Sequence, residues 1–144
     1  FNAGTTGDWM VEGRISSSAI VVDGSDVGGG ATILGVLSGT DCNPISIGKN
    51  TLLVANSVCG IPLGYVCIID SGMAILAGTK IEITPDQLIL IKAANPAQSL
   101  KDSTLFKGSE LAGYNGIHFR QDSQNGAVVA RRSTREVKLN ADLH

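Results

Sequence analysis

Aliphatic residues recur along the first half of the chain at every sixth position: Ile15, Val21, Val27 and Ile33. The period returns at Ile47, Leu53 and Cys59, then shifts by four residues and continues through Leu63, Ile69, Ile75 and Ile81. Small or medium side chains follow most of these positions, among them Ala19, Ser25, Ala31, Thr51, Ser57, Cys67 and Thr79. A helix cannot use this spacing, because six residues advance it by about 600° and scatter the aliphatic positions over every face. One long strand is excluded by the glycines and the Asp23-Gly24 pair, which mark corners. The pattern predicts a triangular prism. Each hexapeptide makes one short strand and one turn, and three make a coil of about 18 residues. Aliphatic side chains point inward and stack from coil to coil, with Ile15 over Ile33 and Leu63 over Ile81. Successive coils pair as parallel strands about 4.8 Å apart.

Two breaks interrupt the repeat. Residues 38–46 (Ser-Gly-Thr-Asp-Cys-Asn-Pro-Ile-Ser) read as a loop leaving the prism, and Cys59-Gly60-Ile61-Pro62 as a smaller shift. After Ile83 the pattern changes. Thr84 reads as an N-cap and Pro85 as the first helical residue, with a short helix over Gln87 to Ala94 stopped at Asn95-Pro96. Residues 97–104 form a polar connector. Asn125-Gly126 between Ile117-His118-Phe119-Arg120 and Ala127-Val128-Val129 predicts a hairpin. Arg135 to Leu139 offers a further strand. The chain thus divides into a coiled domain over residues 1–83 and a helix-and-hairpin extension over 84–144 that packs on the same domain.

Composition agrees with an all-β prism. The 144 residues are 43% hydrophobic, 17% charged and 4% aromatic, with 18 glycines. A disordered chain would need far more charge. The net charge of −2 excludes a strongly basic nucleic-acid binder. No apolar run approaches the ~18 residues of a membrane span. The chain begins at Phe1 without a signal-peptide pattern and reads as a fragment or processed product. Cys42, Cys59 and Cys67 form no CxxC pair and read as reduced thiols of a cytoplasmic protein. Residues 1–79 carry two basic against six acidic side chains, and residues 80–144 nine against seven. The second half therefore suits a phosphate-bearing ligand better.

The prism resembles the left-handed parallel β-helix of hexapeptide-repeat proteins, a resemblance that implies its handedness, and many of those proteins are acyltransferases with a histidine base on a coil. Here His118 and His144 both lie outside the repeat, which argues against that mechanism and against a three-histidine zinc site. The remaining candidate is a carboxylate. Glu12 and Arg14 stand two apart, on one face of an extended segment. From spacing alone, a surface ion pair worth ~0–1 kcal/mol explains them as well.

Longer motifs carry a more specific resemblance. Phe1-Asn2-Ala3-Gly4, Met10-Val11-Glu12-Gly13-Arg14-Ile15-Ser16 and Gly24-Ser25-Asp26-Val27-Gly28-Gly29-Gly30 resemble tetrahydrodipicolinate N-succinyltransferases. So do Leu37-Ser38-Gly39, Ile45-Ser46-Ile47-Gly48-Lys49, Ala77-Gly78-Thr79, Asn125-Gly126-Ala127-Val128 and Leu139-Asn140-Ala141-Asp142-Leu143-His144. The resemblance is to the C-terminal hexapeptide part of the longer family branch. It implies succinyl transfer from succinyl-CoA to the amine of L-2-amino-6-oxopimelate, in the diaminopimelate route to lysine. Glu12 matches the catalytic glutamate, as nucleophile or proton acceptor. Arg14, Gly29, Thr32, Ala55, Asp70, Ser71 and Gly78 match positions lining the CoA and substrate cleft. Lys107, Arg120, Gln121, Asp122 and Ser123 match later CoA contacts. The resemblance further implies homotrimers with clefts between subunits, small-molecule substrates, and magnesium held by acids that would precede Phe1.

This chain departs from that pattern at several turns. Val22 and Val54 stand where glycine is usual, so strain is expected there if those corners need positive φ. Tyr65-Val66 replaces a polar turn, and Asp70 a frequent glutamate. Two other readings stay open: a hexapeptide N-acyltransferase acting on an amino sugar, and a catalytically silent trimeric β-helical module.

Overall fold

The computed structural model describes residues 4–5, 10–11, 14–15, 20–21, 24–34 and 45–133. Short strands follow one another six residues apart, except for a four-residue step from β2 to β3: β1 (Gly4–Thr5), β2 (Met10–Val11), β3 (Arg14–Ile15), β4 (Ile20–Val21), β5 (Asp26–Val27) and β6 (Thr32–Ile33). They continue as β7 (Ser46–Ile47), β8 (Leu52–Leu53), β9 (Val58–Cys59), β10 (Ile68–Ile69), β11 (Ala74–Ile75) and β12 (Lys80–Glu82). Helix α1 (Pro85–Ala94) precedes β13 (Leu105–Lys107), β14 (Ile117–Gln121) and β15 (Val128–Arg132).

These strands form three sheets. The first runs β1-β4-β7 and the third β3-β6-β9-β11. In the second, β2, β5, β8, β10 and β14 are parallel neighbours, and β15, β12 and β13 complete its far edge. Each strand is too short to close a hydrophobic core by itself, so stability comes from stacking. Three buried columns result: Val21, Ile47 and Leu63; Val27, Leu53, Ile69 and Phe119; and Ile33, Cys59 and Ile75.

Ile15 pairs with Ile33 as the repeat predicts. Leu63 and Ile81 do not pair. Leu63 bridges to Ile47 on one side. On the other, Gly64 N donates to Tyr114 O (3.1 Å), so a later segment takes the place expected for Ile81. Ile81 instead pairs with Phe106 in an antiparallel ladder. The register also shows unequal coils: Val27 to Leu53 spans 26 residues, and Leu53 to Ile69 spans 16. The second is shortened at Gly60–Pro62, whereas residues 38–44 of the expected loop and the strand expected over Arg135 to Leu139 lie outside the described residues.

Small polar residues form a ladder inside one corner. Ser25 Oγ donates to Gly48 O (2.7 Å) and accepts from Thr51 N (3.2 Å). Thr51 Oγ1 donates to Gly64 O (3.1 Å) and accepts from Cys67 N (3.2 Å). Each buried hydroxyl therefore satisfies one backbone donor and one acceptor, which removes the cost of burying them.

Left-handed backbone stacks in two columns: Gly24 (φ 75°), Asn50 (φ 58°) and Val66 (φ 52°), then Gly30 (φ 73°), Asn56 (φ 60°) and Gly72 (φ 72°). Val54, where strain is expected from the sequence, is not among the positive-φ residues. The strain sits at Val66, two corners further on, and Val22 lies outside the described residues. A β-branched residue in this region carries about 1–2 kcal/mol of steric cost. Val66→Asn, copying Asn50 one coil away, is expected to raise stability by about 0.5–1 kcal/mol. A urea midpoint that stays put or falls would contradict this.

Cys59 and Cys67 are free and buried, as their sequence context predicts. Burial pushes the Cys59 thiol up to about 12 and the Cys67 thiol up to about 11. Both rise from an ordinary value of 9.0, so their neutral form is favoured in the folded state. Their contribution to stability is fully present below pH 9 and is lost as pH climbs through 11 and 12. Denaturant midpoints should therefore fall above pH 9, and less steeply in a Cys59→Ala, Cys67→Ala variant. An equal pH slope in both proteins would contradict the assignment.

Candidate functional site

The corner between the second and third sheets carries the site. The turns after β5, β8 and β10 stack there, so Gly29, Ala55 and Ser71 form an exposed column. Backbone bonds tie its rungs together: Asn56 N donates to Gly29 O (3.0 Å) and Gly72 N to Ala55 O (3.1 Å).

At the last rung, β14 lies parallel to β10, with Ile68 beside His118 and Ile69 beside Phe119. Phe119 is fully buried and closes an aliphatic column, which turns His118 and Arg120 to the outer face with Asp70. The hairpin then folds back through Asp122–Ala127. Asp122 N donates to Ala127 O and Gly126 N to Asp122 O, both at 2.8 Å, with Gly126 at φ 74°. The Asn125-Gly126 turn predicted from sequence is thus present.

A cleft of about 490 Å³ opens between this hairpin and the corner column. Asp70, Ser71, Gln121, Asp122, Ser123 and Gly126 line it, over Val54 and Met73. Its wall holds a polar cluster centred on Asp70. His118 Nε2 lies 2.7 Å from Asp70 Oδ1, and Arg120 Nε lies 3.5 Å from Asp70 Oδ2. Such a lining offers a carboxylate to an amine, and amide and hydroxyl groups to a ligand rich in hydrogen-bonding atoms.

The structure brings five of the expected residues into one cleft: Asp70, Ser71, Gln121, Asp122 and Ser123. Arg120 stands beside them through its pair with Asp70. Gly29 and Ala55 continue the same corner away from it. The remaining residues lie elsewhere on this chain. Thr32 is on β6 of the third sheet, with Arg14 beside it by register. Gly78 is exposed in the turn after β11. Lys107 sits on β13 opposite Lys80. Glu12 follows Val11 of β2 but lies outside the described residues, as do Cys42 and His144.

His118 is the residue that sequence reading left aside. It lies outside the repeat in sequence but inside the stack in space. The alternation of Ile117, His118, Phe119 and Arg120 shows that His118 and Arg120 share a strand face. Nothing in the sequence shows that β10 is the neighbour. Among the described residues no group of three His, Cys, Asp or Glu side chains could hold a metal ion.

Comparison with known proteins bears on this geometry. Residues 44–77 match a family model described as the hexapeptide repeat of succinyl-transferase. The 2,3,4,5-tetrahydropyridine-2,6-dicarboxylate N-succinyltransferase of Sulfurovum sp. is 72% identical over 144 residues, covering 100% of this chain and 36% of the relative. The resemblance to these N-succinyltransferases spans the entire chain. The Helicobacter pylori succinyltransferase of the same name is 56% identical, again over 100% of this chain and 36% of its own length. A Campylobacter jejuni crystal structure described as a 2,3,4,5-tetrahydropyridine-2-carboxylate N-succinyltransferase superposes with a TM-score of 0.85 at 59% identity. That match covers 92% of this chain and 34% of the other. The chain thus spans little more than a third of the length of the succinyltransferase relatives it matches.

Proposed function

We propose that this chain is the coiled part of an acyltransferase that moves succinyl from succinyl-CoA to the amine of tetrahydrodipicolinate, in its open form L-2-amino-6-oxopimelate. That reaction belongs to the diaminopimelate route to lysine. The observation that carries the reading is 72% identity to a named N-succinyltransferase across every residue of the chain. The cleft supports it, because it pairs an acid with amide and hydroxyl groups at the edge of the coil.

Acyl transfer to an amine needs a neutral nitrogen. The amine nitrogen attacks the thioester carbonyl, a tetrahedral oxyanion forms, and the carbon–sulfur bond breaks to release CoA thiolate. Glu12 takes the amine proton in one version. In the other its carboxylate attacks first, giving an anhydride that the amine then opens. Asp70 attracts the substrate amine. Ser71, Gln121 and Ser123 hydrogen-bond polar atoms of the ligands, with Arg120 and Asp122 flanking them. Arg14, Gly29, Thr32, Ala55, Gly78 and Lys107 complete the CoA and substrate contacts.

Arg14, Thr32, Gly78 and Lys107 lie away from the cleft on one chain. A homotrimer with cyclic symmetry accounts for this, since it lets one subunit's Glu12 face a neighbour's CoA contacts. Exposed Tyr65, Leu76, Ile89, Leu90 and Leu105 are compatible with further faces being covered. A monomer with full turnover would refute the arrangement. The left-handed sense of the coil, the division at residues 83 and 84, and a cytoplasmic location belong to the same reading. No helix among the described residues is long and apolar enough to cross a membrane.

The test is thiol release from succinyl-CoA with a tetrahydrodipicolinate analogue, on the full natural chain and on Glu12→Ala. Turnover is expected in the first and a loss of about a hundred-fold or more in the second, with assembly intact. Near-normal rates in Glu12→Ala would remove its catalytic role. Turnover of acetyl-CoA with an amino sugar, or trimers without CoA binding, would replace the whole reading.

A further inference from the structure

We propose that His118 is a positioning residue that fixes the Asp70 carboxylate in the cleft wall, so that this acid meets the substrate amine in a single orientation. The proposal rests on the acyl-transfer reading for the identity of the amine, and on geometry for everything else.

An ionised carboxylate only accepts hydrogen bonds. The 2.7 Å contact between His118 Nε2 and Asp70 Oδ1 therefore requires the ring proton on Nε2. Arg120 approaches the other oxygen, Oδ2, at 3.5 Å. His118 and Arg120 are alternate residues of one strand, so a single backbone presents both groups to one acid. That backbone cannot slip. A shift of one residue would turn Phe119 out of the core and point His118 into it. The dyad is thus clamped by the same packing that ends the coil.

Accessibility separates the roles. Asp70 lines the cleft, and its side chain is 38% exposed; His118 does not line it, and its side chain is 14% exposed. His118 therefore meets a ligand only through Asp70. Stability alone is a weak reason for the pair, because an acid this open to water gains little from a partner. Orientation is the stronger one. An unheld aspartate samples several rotamers, whereas acyl transfer needs its reacting atoms placed within a fraction of an ångström.

Steady-state kinetics on the full natural chain test this with His118→Phe, His118→Gln, Asp70→Asn and the Phe/Asn double variant. Glutamine keeps an N–H donor near the position of Nε2, and phenylalanine does not. His118→Phe is expected to raise KM for the amine acceptor about ten-fold, with KM for succinyl-CoA unchanged. His118→Gln should recover to within about three-fold of the natural protein, and His118→Phe should add less than about two-fold to Asp70→Asn. A purely structural role would give additive losses and no rescue by glutamine, and either result overturns the proposal. Imidazole nitrogen NMR supplies a readout independent of turnover. At a pH where the ring is neutral, the His118 signal should report the Nε2–H form and shift on Asp70→Asn. The Nδ1–H form, or no response to Asp70→Asn, overturns the proposal. If the natural protein transfers no succinyl group, the functional reading falls, and this spectrum decides the positioning claim.

Discussion

Phe119→Ala is expected to lower the stability of the protein by about 3–5 kcal/mol, the range for emptying a buried aromatic site. Phe119 is the last member of the column that begins with Val27, Leu53 and Ile69, and it is fully buried. Removing its ring opens a cavity beneath the final rung. Little can collapse into that space, because the neighbouring coils are held by backbone ladders on both sides. The same change loosens β14, so the contact between His118 and Asp70 should weaken along with the fold. Phe119→Leu serves as the control. It keeps most of the volume and should cost less than about 1.5 kcal/mol. Chemical denaturation of both variants checks the pair. An alanine variant within 1 kcal/mol of the natural protein would show that β14 does not close the column.

The second large effect is expected at Asn95, where α1 ends. Its side chain is buried, at 3% exposure, and makes three hydrogen bonds. Nδ2 donates to Ile91 O (2.8 Å) and Asn115 O (3.0 Å), and Oδ1 accepts from Asn115 N (2.7 Å). Asn115 in turn accepts from Tyr65 N through its own Oδ1, at 2.7 Å. One amide therefore ties the helix end to the segment that caps the coil. Asn95→Ala leaves buried backbone donors and acceptors without partners and should cost about 2–3 kcal/mol. Asn95→Asp should cost at least as much, because a carboxylate would face two carbonyl oxygens in place of donating to them. Melting curves of both variants decide the matter. An aspartate variant as stable as the natural protein would overturn the hydrogen-bond assignment.

Both effects arise in the part of the fold hardest to read beforehand. The aliphatic period placed the short strands from Ile15 to Ile81 along the chain, and Thr84-Pro85 marked the helix start. The Thr84 side chain makes no capping bond there, however. Proline at the first helical turn suffices, since the backbone of Thr84 still accepts from Leu88 N. Asn125-Gly126 announced the hairpin because its turn needs positive φ at a local position. These are short-range signals, and short-range sterics enforce them.

What escaped is long-range. The period counts residues but does not say which coil stands above which once an insertion or a shortcut intervenes. Hence the period sets Leu63 over Ile81, although the chain caps that coil with Tyr114 through Gly116. Hence also a conditional expectation of strain falls on Val54, whereas positive φ falls on Val66.

The linear order of residues by itself determined a three-sided coil with an aliphatic interior, a helix after it, and a hairpin at the end. Periodicity and turn chemistry are local and survive in one dimension. Only the folded arrangement decided that the hairpin becomes the next rung beside β10. That pairing depends on a hydrophobic column needing a cover, and phenylalanine at position 119 supplies it. The same pairing carried His118 and Arg120 to Asp70, residues from distant parts of the chain whose meeting no spacing rule contains.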